Sequence, residues 1–245
     1  ATYEDAVMGI ANGAMSMTHV YNGMTRYHHR NPGLVGAAFR IRDVYGEIIC
    51  DGCHSHLAAL NNFFTIKGRD YSIMITDSLR AKHCPPGGNY QLGGHDIEIG
   101  EDGLARLKGT NTIAGSTLRM NRGLKILAED AMVPFDAALN SCTINPARCL
   151  RVDDRKGRIA AGCDADLVVL EDNYDVIQTY CRAGHAVNHE PGMKKAERHR
   201  NFRCLSAFFA ISPDCRFTFS VRWGGRVLFY QLDKVFLRFC QVFAF

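Results

Sequence analysis

Residues 45–77 read YGEIICDGCHSHLAALNNFFTIKGRDYSIMITD, and the order of apolar runs in this stretch decides the fold. Tyr45–Cys50 and Tyr71–Thr76 are short, apolar, bounded by turn residues and free of clear alternation. Parallel strands covered on both faces read this way. Between them His56–Lys67 has helical spacing and is followed by Gly68, a good C-cap. Upstream, Ala14–Val20 (AMSMTHV) predicts another strand of the same kind, and Tyr3–Ala11 before it has helical spacing. Strand alternating with helix predicts a parallel α/β fold, either a barrel or a doubly wound sheet.

Beyond Asp77 the pattern changes. Pro85-Pro86-Gly87-Gly88 and Gly93-Gly94 punctuate a predicted hairpin of Tyr90–Leu92 and Asp96–Ile99. Helices are predicted over Leu118–Ala131, with Ser116 or Thr117 as cap, and over Pro134–Cys142, where Pro134 suits the first turn. Asn145-Pro146-Ala147 opens a further short helix, and Ala165–Leu170 and Val176–Cys181 read as strands. No internal repeat is visible.

The composition, 47% hydrophobic and 22% charged over 245 residues, is that of a soluble globular protein. No apolar run is long enough for a transmembrane helix. Ala1-Thr2-Tyr3-Glu4-Asp5 has neither an initiator Met nor a basic stretch before an apolar core, so no secretory signal is expected and the chain reads as starting within something longer. The ten cysteines are irregularly spread, which fits reduced thiols and a cytoplasmic setting. The tight pair Cys50 and Cys53 has no second pair at zinc-finger spacing and falls at a strand end, which disfavours a redox or zinc-knuckle role.

The net charge of +4 is unevenly placed: from Asn188 onward there are ten Lys/Arg against four Asp/Glu, leaving −2 on residues 1–187. Nucleic-acid binding would need a basic face on the folded part, and none is visible. Ten of the fourteen Phe also lie within residues 202–245. That tail reads either as an aromatic and basic platform for nucleic acid or as a segment foreign to the fold, such as the product of a reading-frame shift. Its conflicting local propensities favour the second. Within it, Val221–Tyr230 is a candidate hairpin around Gly224-Gly225.

Each of the three strands ends in residues that chemistry can use: Thr18-His19 with Asn22 beyond, Asp51-Gly52-Cys53-His54, and Thr76-Asp77. In parallel α/β folds the C-terminal strand ends build the active site. The intervals of 35 residues from His19 to His54 and 23 from His54 to Asp77 suit one strand–helix unit each. A neutral imidazole is a common ligand for a divalent ion, and such an ion lowers the pKa of its bound water to about 7. A carboxylate beside that water can pass its proton to a leaving nitrogen, and a further imidazole can bond the scissile carbonyl. Plainer readings stand beside these: His19 as a satisfied polar residue, Asp77 as the N-cap of a following segment, and His54 and His56 as merely exposed.

Several motifs together resemble the N-acetylglucosamine-6-phosphate deacetylase family of metal-dependent amidohydrolases. They are Thr18-His19-Val20-Tyr21-Asn22-Gly23-Met24, His29-Arg30-Asn31-Pro32-Gly33-Leu34-Val35-Gly36, Cys50-Asp51-Gly52-Cys53-His54, Ile75-Thr76-Asp77 and Ile113-Ala114-Gly115-Ser116. Asn145-Pro146-Ala147-Arg148 and residues 157–167 (GRIAAGCDADL) resemble amidohydrolases more widely. The match runs in order from Ala1 to about Gly184.

The resemblance implies a partial (β/α)8 TIM-type barrel of the metal-dependent hydrolase class over residues 1–151. It also implies strands of a small β-sandwich domain over 152–187, with an atypical tail over 188–245. It implies removal of acetate from N-acetylglucosamine 6-phosphate by metal-activated water, in a homodimeric family. His19 matches a metal ligand for zinc or iron, and Asp77 matches the catalytic acid/base. His54 matches a residue near the substrate acetamido group. Asn22, Gly23 and Arg30 match phosphate and sugar contacts, Arg30 being offered across the dimer interface, and Ile113, Ala114 and Gly115 match a substrate-contacting loop. A guanidinium suits a phosphate dianion.

The departures are equally specific. A family Glu on an early strand and a His in a Gly-His-Ser-Asn motif, both metal ligands, are absent, and that motif is expected just before Ala1. About three of eight barrel strands are then present, and Ala165–Leu170, which pairs with N-terminal strands in the family, is expected to have open edges. Ser55 and Cys53 stand where apolar residues are common. Two alternatives remain: a catalytically inactive fragment of such an enzyme, and another amidohydrolase acting on a cyclic amide. Arg30 argues against the latter, whose substrates carry no phosphate.

Overall fold

Three parallel strands carry the polar rim, in the order β1 (Ser16–Met17), β2 (Tyr45–Ile49) and β3 (Ser72–Ile75). The computed structural model describes residues 1–181 except His83 and Asn89, and beyond them the backbone of five strands between His185 and Ala244. β2 is central, with Met17 opposite Gly46 and Ile49 opposite Ile75, so all three chains leave the sheet in the same direction.

Local chemistry fixes the helices around this sheet. α1 (Tyr3–Ala11) starts with a capping box in which the Thr2 hydroxyl accepts from the Asp5 amide and the Asp5 carboxylate accepts from the Thr2 amide. α2 (Gly33–Arg40) follows Pro32, and α3 (Leu57–Lys67) is capped by His56, whose Nδ1 accepts from the Ala58 amide. Leu60 and Phe63 of α3 are fully buried with Val20, Val35, Ala37, Ile48 and Leu127. Each such side chain contributes about 1.5–3 kcal/mol relative to exposure. Gly46 makes the contact possible, since a Cβ there would stand 2.7 Å from Cζ of Phe63.

Lys67, at the end of α3, is 3% exposed, and its ammonium donates to the carbonyls of Ile41, Arg42 and Val44. It thereby ties off the loop between α2 and β2. Burial pulls its pKa down to about 8, with Asp43 opposing. Because the folded chain binds this proton less tightly than the unfolded one, its contribution to stability rises with pH between about 8 and the free-lysine value of 10.5. The stability gap between wild type and Lys67→Met, measured by urea unfolding, should move in favour of wild type by about 1–3 kcal/mol from about pH 7 to about pH 10. A gap that ignores pH would refute this account of the lysine.

After β3 comes a separate antiparallel sheet of β4 (Tyr90–Leu92), β5 (His95–Ile99) and β6 (Ala105–Leu107). The hairpin was legible in the sequence; the three-residue β6 was not. α4 (Met120–Lys125) runs into one turn of π-helix, Ile126–Asp130, where a single α-helix over Leu118–Ala131 is predicted. Ser116 accepts from the Leu118 amide and so closes the turn before α4 instead of capping the helix. α5 (Phe135–Cys142) has Pro134 one place earlier than expected, at its N-cap, and α6 (Ile144–Cys149) follows. Buried Asn145 donates to the carbonyls of Arg69 and Ser72, pinning α6 to the entry of β3.

The predicted strand Ala14–Val20 is paired as β1 only at Ser16–Met17, because the chain turns at Thr18 and rejoins β2 through the Val20 amide, which donates to the Glu47 carbonyl at 2.7 Å. The helix α2 was not foreseen.

β7 (Leu167–Leu170), β8 (Val176–Cys181) and β9 (His185–Val187) form an antiparallel sheet, and Asn121 of α4 donates to the Tyr174 carbonyl to hold it. Further on, β10 (Phe208–Ile211), β11 (Phe217–Trp223) and β12 (Arg226–Gln231) pair antiparallel. Trp223 opposite Arg226 agrees with the expected hairpin, whose Gly224 and Gly225 lie outside the described residues. β13 (Gln241–Ala244) pairs with β7. This corrects the expectation of open edges: β7 has a neighbour on each side, and backbone groups that an edge would leave unpaired are bonded. β13, which lies in the tail from Asn188, is thus one strand of this sheet. Among the described residues the strands form four separate sheets and no closed barrel, and no helix is long and apolar enough to cross a membrane.

Candidate active site

The rim at the strand ends is built from backbone in unusual conformations. His19 has φ +35° and Asp77 has φ +49°, values that L-residues adopt rarely and mostly where surrounding structure enforces them. Past β1 the Asn22 amide donates to the His19 carbonyl, and Gly23, at φ +65°, comes so close that a Cβ would stand 3.5 Å from Cε1 of His19. Tyr21 anchors this turn edge-on to Phe39 and Phe63. The Nδ1 of His19 is buried with no hydrogen-bond partner. That removes the reading of His19 as a satisfied polar residue.

Past β2, Asp51 organises the loop. One carboxylate oxygen accepts from the amides of Cys53 and His54, both at 2.8 Å, and the other lies 2.6 Å from Nδ1 of His54. The two side chains are only 9% and 7% exposed. Burial works to raise the Asp51 carboxyl, but the His54 ring and the two amides outweigh it and hold it below the usual carboxylate range. His56, by contrast, is the exposed cap of α3. Cys50 is buried and Cys53 exposed, and both are free thiols, like the other described cysteines.

Past β3, Asp77 is exposed and caps no helix. Its carbonyl accepts from the Ser116 amide at 2.9 Å, and the Leu79 amide donates to the Ser116 carbonyl. This parallel bridge, Ser78 to Ser116, sets the loop Ile113–Gly115 directly beside Asp77. Gly115 has φ +64°, and a Cβ there would meet Leu79 at 2.6 Å.

The structure therefore brings His19, Asn22 and Gly23 together on one turn, and Asp77 together with Ile113, Ala114 and Gly115 on another, with His54 in the loop that follows the central strand β2. Arg30 belongs to neither turn. Arg30 sits in a turn closed by His28 and Asn31, and its guanidinium meets only the His29 ring at 3.2 Å among the described residues. Sequence reading gave Asp51 no role. The signal was present, since an Asp followed by Gly readily bonds backbone amides two and three residues on.

A family model, the amidohydrolase family, matches residues 1–219. The chain belongs to the amidohydrolase family. Its match reaches beyond Gly184, where the motif resemblance stops. This amidohydrolase chain is 40% identical over 174 residues to an N-acetylglucosamine-6-phosphate deacetylase of Bacillus subtilis, which covers 71% of this chain and 43% of that protein. It is 37% identical over 189 residues to the enzyme of the same name from Danio rerio, covering 74% and 45%. A Mycobacterium smegmatis N-acetyl-D-glucosamine-6-phosphate deacetylase mutant, solved with N-acetyl-D-glucosamine-6-phosphate, superposes with a TM-score of 0.70 at 34% identity, over 76% of this chain and 49% of that one. The chain spans less than half the length of these relatives. Family and neighbours imply a TIM-barrel-type fold, and the described residues show a three-stranded parallel sheet and no closed barrel.

A metal ion is implied by the family. The orphaned imidazole nitrogen of His19 fits a ligand. No group of three His, Cys, Asp or Glu that could hold a metal comes together among the described residues, whereas a catalytic divalent site takes about three protein ligands. The described residues offer one ligand and not a cage.

Proposed function

We propose that this chain carries the substrate-facing side of a deacetylase site that releases acetate from N-acetylglucosamine 6-phosphate. The observation that carries the reading is the single rim on which His19, His54 and Asp77 stand at successive parallel strand ends, in a chain 40% identical to a deacetylase of that name. A divalent ion, zinc or iron, would supply water acidified enough to act at neutral pH. Asp77, whose carboxylate has no partner among the described residues, takes up a proton and hands it to the leaving nitrogen. His54 meets the acetamido group. Asn22, Gly23 and the backbone of Ile113–Gly115 border the sugar, and Ala114 and Gly115 are held there by β6 and Leu79. Arg30, exposed and bonded inside its own turn among the described residues, pairs with phosphate, across the interface of a homodimer.

In the same proposal residues 1–151 are barrel and 152–187 are strands of a β-sandwich, a division supported by the separate sheets of β1–β3 and β7–β9. The cytoplasm is supported by the free described thiols. A second reading, that the chain by itself is catalytically inactive, is favoured by the lack of a three-ligand group among the described residues. Both are tested by one pair of measurements: acetate release and metal content of the chain alone, and of a chimaera in which residues 1–181 replace the matching segment of the Bacillus subtilis relative. The chain alone should release no acetate and bind well under one metal per chain, and the chimaera should turn over. Turnover by the chain alone would refute the second reading, and an inert, folded chimaera would refute the first.

A further inference from the structure

The geometry of the loop after β2 points to a second working side chain. We infer that Asp51 is a positioning residue that holds His54 in its Nδ1–H tautomer and turns an Nε2 lone pair toward the bound amino sugar. What His54 meets rests on the function proposed above; what Asp51 does to His54 rests on geometry alone.

One oxygen of Asp51 is fully engaged, accepting two backbone amides at 2.8 Å each. The other is 2.6 Å from Nδ1 of His54, and an ionised carboxylate only accepts, so Nδ1 is the donor. Its carboxyl is held below the usual range, so it stays ionised at neutral pH. A neutral imidazole has one N–H, and which nitrogen carries it is set by the partner of the other. In the neutral ring Nε2 is therefore an acceptor, and it makes no hydrogen bond among the described residues. An acceptor here suits a ligand donor, the amide N–H of an acetamido sugar or a ring hydroxyl. The amides from Cys53 and His54 keep the carboxylate from rotating, and the near-complete burial of both side chains keeps water from competing.

The same geometry predicts an unusual effect of Asp51→Asn. The asparagine oxygen is retained on the two amides, so its NH2 replaces the second oxygen opposite Nδ1. An NH2 can only donate, which forces Nδ1 to accept and moves the proton to Nε2. The substitution inverts the tautomer instead of merely loosening the ring.

Imidazole 15N NMR of the histidine-labelled 245-residue chain tests this, with His54→Gln assigning the signals. In wild type at alkaline pH, where the ring is neutral, Nδ1 should show the protonated pyrrole-type shift and Nε2 the pyridine-type shift; in Asp51→Asn the two should exchange. Wild type with the proton on Nε2, or a folded Asp51→Asn chain with no exchange, would overturn the inference. The wild-type spectrum decides it even should the variant not fold. Adding N-acetylglucosamine 6-phosphate separates the two claims: movement of the Nε2 signal supports the sugar contact. An unmoved signal removes that contact, and with it the last part of the inference, while the tautomer result still decides the role of Asp51.

Discussion

Asp77→Asn, placed in the active chimaera, is expected to lower kcat for acetate release by about 10²–10⁴-fold, the range of a lost general acid/base, with little change in KM. The substitution is unusually clean at this position. Asp77 holds φ +49°, a conformation in which Asn and Asp are both enriched, so asparagine keeps the backbone at small cost. The contact that fixes the strand end is made by the Asp77 carbonyl, which accepts from Ser116, and the side chain has no part in it. Stability should therefore be unchanged, and an activity loss reports on proton transfer. Retention of kcat within a few-fold would remove Asp77 from the chemistry.

The largest stability effect is expected at Gly157, where alanine should lower the free energy of unfolding by about 2–5 kcal/mol. Two costs coincide. The residue has φ +82°, a left-handed value that a side chain opposes by about 1–2 kcal/mol. A Cβ would also stand 2.8 Å from Cα of Ile144 and 2.9 Å from the Thr143 carbonyl oxygen, and backbone cannot step aside as a flexible side chain can. Gly162 separates the terms, because it has φ +86° but nothing within 4 Å of the added carbon. In urea unfolding Gly162→Ala should show the conformational cost alone, and Gly157→Ala a clearly larger loss. Equal midpoints for the two would mean that the close approach at Gly157 is absent.

Much of the fold was legible because local signals agreed with tertiary need. The helical spacing of Tyr3–Ala11 matches the bounds of α1, Gly68 ends α3, and the apolar runs of β2 and β3 are found within a residue of their observed bounds. α2 was missed because it begins at Pro32-Gly33 without a side-chain cap and contains a second glycine, so propensity argues against a helix that packing enforces. The π-turn at Ile126–Asp130 has no sequence signature, and β13 pairs with a strand far away in the chain.

At the site, residue type and strand-end position were enough to select His19, His54 and Asp77. The pairing of Asp51 with His54 was not visible, since it depends on which way a carboxylate points.

The pairing of β7 with β13 carries a kinetic consequence. Leu167–Leu170 must wait for a partner roughly 70 residues later in the chain, so this sheet is high in contact order and closes late. During synthesis β7 leaves the ribosome well before Gln241–Ala244 exists, and for that interval it offers a bare edge to any neighbouring nascent chain. How much of this protein reaches its folded form in a cell is then governed by chaperone capture and translation speed across residues 171–241, more than by the final strength of the sheet.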